Sequence, residues 1–329
     1  MKKLSLIRKF VFVAALAFVT YSCSNEKVDT PKEEPSLEQA IENNENLSLF
    51  NEALKMTNMG DGGKSSIDSQ SKRSAFTFFA PTNQAFREFF AANGFTSLSQ
   101  VPVSLLTNVL ANHLVDGRKF AADFQTGYLK TSAKGTASST NTLSLFVNTS
   151  EGVKLNGVSK VITPNIRFGR NVIHIVDKVI PLPTIVTHAL ANPNFSSLVG
   201  ALTSPGQPDF VTVLSGNGKF TVFAPVNQAF TNLNTELAPG GIASVSAANL
   251  TKVLQYHVVG NANVLASTLV NNQIVTPILI PAQTFTILLP ASGPQIKDAS
   301  NRISKIVATD VQCTNGVIHA LDKVLLPVL

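Results

Sequence analysis

Between residues 37 and 56 the chain sets Leu37, Ile41, Leu49, Leu54 and Met56 among acidic and amide residues, a spacing that predicts one or two amphipathic helices. A stretch of the same kind, PTIVTHALANPNFSSLVGAL, starts at Pro183. Each is followed by a short apolar run, FTFF from Phe76 and FTVF from Phe220, that reads as a strand stopped at Ala-Pro, where the proline ring removes a ladder donor. SLLTNVLANHLV and ANLTKVLQYHVV then predict one more helix each, with Leu105, Val109 and Leu110 matching Leu250, Val253 and Leu254 and a histidine in the last turn. Such a histidine can bond the free carbonyls of the helix end and, when protonated, favours the helix dipole. Beyond them β-branched runs are punctuated by Glu151-Gly152, Asn156-Gly157 and Asn315-Gly316, all turn signals. Helices gathered first and strands later imply an α+β domain, with a small antiparallel sheet or sandwich and a helical flank.

The pattern is written twice. FTFFAPTNQAF and FTVFAPVNQAF agree at nine of eleven positions 144 residues apart, His113 and His257 keep that offset, and His174 and His319 stand 145 apart. The chain is therefore a tandem duplicate, with one domain over residues 36–183 and a second over 184–329. Comparing the copies also selects a helix cap: Thr82 becomes Val226, which has no side-chain oxygen, so Asn83 and Asn227 are expected to cap the helix after each Ala-Pro corner. Two polar segments of the first copy, residues 60–74 and 131–142, read as flexible loops. In place of the first of these the second copy has Phe210, Val211, Val213 and Leu214, enough for a short packed helix after Pro208.

The chain has 329 residues, 44% of them apolar, which suits two ordinary domains. Its net charge of +6 is misleading, because Lys2, Lys3, Arg8 and Lys9 crowd the first ten residues. The other 22 basic residues exceed the 20 acidic ones by two and form no cluster, so no nucleic-acid partner is expected. The basic head precedes an apolar run, Phe10 to Val19, too short to span a bilayer comfortably, and then Ser22-Cys23. This resembles a bacterial lipoprotein signal, although Thr20 and Tyr21 depart from its commonest form. The resemblance implies a signal peptide over 1–22, lipidation of Cys23 as the first mature residue, and, from Ser24, delivery to the outer membrane of the cell envelope. Several acyl chains at about 0.8 kcal/mol per buried methylene would make that anchor permanent. Residues 23–35, charged and twice interrupted by proline, read as a polar tether. With Cys23 acylated, Cys313 has no intramolecular disulfide partner and reads as a small core residue.

FTFFAPTNQAF and FTVFAPVNQAF, together with NVIHIVDKVI and TNGVIHALDKVLLP, resemble the two signature segments of the fasciclin-like domain family, occurring twice and in order. The resemblance runs from about Ser36 to Leu329. It implies two tandem domains, each a β-sandwich wedge flanked by helices, used in cell adhesion and matrix or surface interaction. A Tyr-His pair linked to adhesion in animal members is matched by Tyr256-His257, whereas the first domain has Asn112-His113. These four residues are the partner-binding candidates that the resemblance supplies.

Enzyme chemistry finds little support. His174 and Asp177, like His319 and Asp322, lie three apart, which on a regular strand turns the side chains to opposite faces. There is no Gly-rich phosphate loop and no Gly-x-Ser-x-Gly elbow. No catalytic residue, cofactor or metal is expected. The reading is a membrane-anchored, non-catalytic surface module that binds a matrix or cell-surface protein or polysaccharide, a neighbouring cell or an envelope partner. The alternative is a lipoprotein that holds a glycan or a small apolar molecule. With 21 phenylalanines, three tyrosines and no tryptophan, the glycan form is the weaker.

Overall fold

A computed structural model describes residues 37–42, 44–59 and 75–329. The expected signal peptide and tether, with Cys23, and the polar segment 60–74 lie outside the described residues.

The first repeat opens with α1 (Leu37–Glu42) and α2 (Ser48–Met56), joined through a 3₁₀ turn over Glu45–Leu47. Then come β1 (Phe76–Pro81), α3 (Asn83–Ala92), α4 (Val103–Asn112) and six strands: β2 (Leu114–Asp116), β3 (Gly127–Lys134), β4 (Thr142–Asn148), β5 (Lys154–Leu155), β6 (Ser159–Phe168) and β7 (Asn171–Val176). The strands pair in sequence order and β7 returns beside β1, closing a seven-stranded ring. The sheet is therefore not purely antiparallel as the turn signals suggested. β7 runs parallel to β1, Thr77 to Pro81 facing Val172 to Val176, because the last strand returns across the whole domain rather than through a hairpin.

Every residue of β1 is buried, since its two faces look into two cores. Phe76, Phe78 and Ala80 pack under the helices, while Phe79 points into the ring with Val115, Leu145 and Val176. That double burial is why the strand reads as a continuous apolar run. The turn at Asn156-Gly157 forms as its sequence predicts, with both residues at positive φ (45° and 73°) between the paired Leu155 and Ser159.

The second repeat follows the same order: α5 (Ile185–Ala191), α6 (Ser196–Leu202), α7 (Phe210–Ser215), β8 (Phe220–Pro225), α8 (Asn227–Glu236), α9 (Ala247–Tyr256), then β9 (Val258–Gly260), β10 (Ile274–Val275), β11 (Phe285–Leu288), β12 (Gln295–Lys297), β13 (Ile303–Cys313) and β14 (Gly316–Leu321). The short helix expected after Pro208 is α7, capped by Asp209, whose carboxylate accepts from Thr212 N at 3.0 Å. β8 again lies parallel to the last strand, β14. This sheet is open, with β10 and β9 at its margins, and only the Ile278 N–H to Val258 carbonyl bond (2.8 Å) reaches across the gap. Pro277 and Pro281 flank that segment and cannot donate to a ladder.

The expected asparagine caps are overturned. Thr82 caps α3, accepting from Ala85 N at 3.1 Å, and at Val226 the cap is lost without replacement. Asn83 and Asn227 reach sideways to the N-terminus of an earlier helix, α2 and α6 respectively. Asn83 Oδ1 accepts from Leu49 N (2.9 Å) while its Nδ2 donates to Glu45 O and Ser48 Oγ; Asn227 Oδ1 accepts from Ser197 N (2.9 Å) while its Nδ2 donates to Pro193 O. Each satisfies an orphan N–H of a neighbouring helix and staples it to the corner after the central strand. The sequence comparison missed this because a long-range acceptor leaves no local spacing to read.

Candidate functional site

His113 and His257 end α4 and α9, where each ring spans from its own helix to the final loop of its domain. Nδ1 lies 2.7 Å from the carbonyl four residues back, Val109 or Val253, and Nε2 accepts from Ile180 N or Leu325 N at 2.9 Å. With Nε2 accepting, the proton sits on Nδ1 and is donated to the helix carbonyl. Both rings are buried, and burial pushes both down to about 4, so they are neutral at physiological pH. The carbonyl bond expected from sequence is present, but the charge-dipole role does not apply to a neutral ring.

Tyr256 is fully buried, its hydroxyl donating to Thr284 O at 2.7 Å and accepting from Ala299 N at 3.0 Å; burial raises it to about 12. Asn112, in the equivalent place, is also fully buried and donates to Pro181 O at 3.0 Å. The four residues suggested as partner contacts therefore present no accessible polar surface. Asn112, His113 and His257 tie the C-terminal end of a helix to the segment that closes the domain, Tyr256 ties it to the loops at Thr284 and Ala299, and the expectation of a partner contact at these four residues is corrected accordingly.

The strand histidines are committed in the same way. His174 stacks on Phe79 at 5.6 Å between ring centroids, His319 on Phe223 at 5.4 Å, and their Nε2 atoms lie 2.9 Å from the carbonyls of Lys119 and Val264. Asp177 and Asp322 turn away and accept from Lys160 N (2.6 Å) and Lys305 N (2.7 Å), tying the adjacent long strand to the end of each domain's last strand. Neither His174 with Asp177 nor His319 with Asp322 is assembled into a pair. Among the described residues no three His, Cys, Asp or Glu side chains gather as a metal site requires, and no helix is long and apolar enough to cross a membrane. Cys313 is fully buried, and burial raises its thiol well above the usual range, which makes it a core residue as expected and a poor nucleophile.

The segment 131–142, expected as a loop, is largely built into the joint between the repeats. Thr131–Lys134 extend β3, and the turn after them meets β13 and β14. Ala137 N donates to Thr314 O at 2.8 Å, Thr136 Oγ1 to the same carbonyl at 3.0 Å, and Lys130 Nζ to Asp310 O at 2.8 Å. Gly135 comes so close that an added Cβ would stand 2.5 Å from Thr314 Cα. Asn192 donates to the Tyr128 hydroxyl at 3.2 Å, and the Tyr128 ring meets His188 edge-on at 5.3 Å. His188 is fully buried beside the Ser144 backbone with neither ring nitrogen well bonded, and burial pushes it down to about 3. These contacts join sequence-distant residues, so only the fold could show them.

Among the described residues, two apolar features of the second domain stand open to a partner. One is the margin of the second sheet around β10, where Val270, Ile274 and Ile280 are exposed to 63%, 69% and 83%. The other is an apolar cavity of about 290 Å³ between α5, α6, α7 and the strands β8 and β14.

A family model described as Fasciclin domain matches residues 45–183 and 193–327. The human protein periostin is 28% identical over 259 residues, which is 78% of this chain and 29% of periostin. Protein sll1483 of Synechocystis sp. is 36% identical over 146 residues, 44% of this chain and 73% of its own length. A solved FAS1 domain pair from the insect cell adhesion molecule Fasciclin I superposes with a TM-score of 0.52 at 18% identity, over 84% of this chain and 97% of the pair.

Proposed function

The chain belongs to the fasciclin domain family, and on that premise we propose that it is a non-catalytic adhesion module held at a bacterial cell envelope through lipid on Cys23. The observation that carries the reading is where the two domains spend their polar chemistry. All five histidines are buried and neutralised by their surroundings, four of them bonded to the chain's own backbone and the fifth packed in the joint, so no histidine faces solvent to act as a general base. The open, apolar margin at β10 is the surface offered to a matrix or cell-surface partner. Likeness to a pair from a molecule named for cell adhesion supports the same reading.

The experiment is retention of cells carrying the protein on a matrix-coated surface. Ile274→Glu/Ile280→Glu should reduce retention while leaving the unfolding midpoint unchanged, and undiminished retention would remove the β10 margin from the proposal. Cys23→Ala should shift the chain out of the detergent phase, and unchanged partitioning would remove the anchor.

A further inference from the structure

The cavity in the second domain lies where the first domain holds two phenylalanines. Val222 of β8 stands at the position of Phe78 of β1 in the repeated phrase. Leu198 stands at the position of Phe50, an equivalence fixed by the staples, since Asn83 bonds the N–H just before Phe50 and Asn227 the N–H just before Leu198. In the first domain the two rings meet edge to face at 5.0 Å and fill the space between helix and strand. In the second, Leu198 and Val222 instead line the cavity, with Ile185, Phe210, Leu214 and Ile318 among its other walls. Leu190 and Val211 also line it and are exposed to 65% and 40%, so the space is reached between α5 and α7.

We propose that this cavity is a binding site for a small, uncharged, apolar molecule. An unfilled apolar space of this size forfeits van der Waals contacts along all its walls. The walls leave no side-chain donor free for a polar group: both His257 nitrogens are committed to Val253 and Leu325, and the Thr203 hydroxyl donates to Val199 O at 2.9 Å. A cavity of about 150 Å³ lined by comparable side chains stays dry and admits benzene. At 290 Å³ the site accepts a ligand on the order of two fused rings or a medium-length hydrocarbon tail, with any polar end left at the Leu190 rim. The site is independent of the adhesive surface, since it lies under the helices and not at the β10 margin.

The test is a fluorescence titration of the full chain with N-phenyl-1-naphthylamine, an uncharged apolar fluorophore, beside the variant Leu198→Phe/Val222→Phe, which restores the first domain's side chains. The expected result is saturable binding of one probe per chain, weakened about tenfold or more in the variant while its unfolding midpoint does not fall. Absence of saturable binding, or equal binding by the folded variant, would overturn the proposal. If the double variant does not fold, Leu190→Glu at the exposed rim decides: several-fold weaker binding supports the site and unchanged binding overturns it.

Discussion

In the first domain Asn83 holds Leu49 N, His113 holds Ile180 N and Asp177 holds Lys160 N; in the second, Asn227 holds Ser197 N, His257 holds Leu325 N and Asp322 holds Lys305 N. The residues around these bonds have been exchanged freely: Leu198 and Val222 stand where the first copy has Phe50 and Phe78, and Tyr256 stands where it has Asn112. Even ring closure differs, through the Val115–Thr131 bridge in one copy and a single backbone bond at Ile278 in the other. The difference teaches which constraints are strict. A buried donor must meet an acceptor at one distance and angle or lose the full desolvation cost. Apolar volume can move between neighbours, or leave a space, at a smaller cost per change.

Acidification should separate the two domains by the largest margin. His188, His257 and His319 belong to the second domain, His113 and His174 to the first, and burial lowers all five. The unfolded chain protonates these rings below about pH 6.5, whereas folded His113 and His257 resist to about 4 and His188 to about 3. The stability this burial confers is whole above pH 6.5 and is lost as pH falls, by about 1.4 kcal/mol per unit for each such ring. Thermal unfolding followed from pH 7 to 4.5 should show the second domain's transition falling faster, and a first domain that fails first would break the comparison.

Removing the helix-end ring comes next. His113→Ala and His257→Ala should each cost about 2–4 kcal/mol in urea unfolding, because each strands a buried N–H and carbonyl and leaves a void. Similar losses would confirm that one bond serves both copies. Asn83→Ala should cost about 2 kcal/mol and Asn227→Ala about 1 kcal/mol, since the first staple makes three bonds and the second two. The smallest effect tests the lost cap: Val226→Thr should stabilise the second domain by about 0.5–1 kcal/mol, and Thr82→Val should destabilise the first by about as much.

Much of the architecture was legible because duplication prints the same local rules twice. The apolar run ending at Ala-Pro, the helices with a terminal histidine and the Asn156-Gly157 turn all formed where their sequences place them. The staples, the parallel partner of the central strand and the joint were not legible, since each pairs residues far apart in the chain. Asn83 and Asn227 are amides kept where the neighbouring residue changes, as capping would require, but the helix each one bonds is not its own. The Tyr256-His257 pair carried a resemblance to an adhesive contact, and no local pattern could reveal that both side chains are turned inward.

What the sequence determined alone is what near neighbours decide: two copies, α+β elements in a set order, turns at glycine and asparagine, and the near neutrality of the chain beyond its basic head. Tertiary structure alone decided which polar atoms are consumed, where segment 131–142 comes to rest, and that Leu198 and Val222, the counterparts of two packed phenylalanines, line a cavity. The physical reason is range. Propensity and periodicity act over a few residues, whereas burial, long-range hydrogen bonding and packed volume depend on groups that only the completed fold brings together.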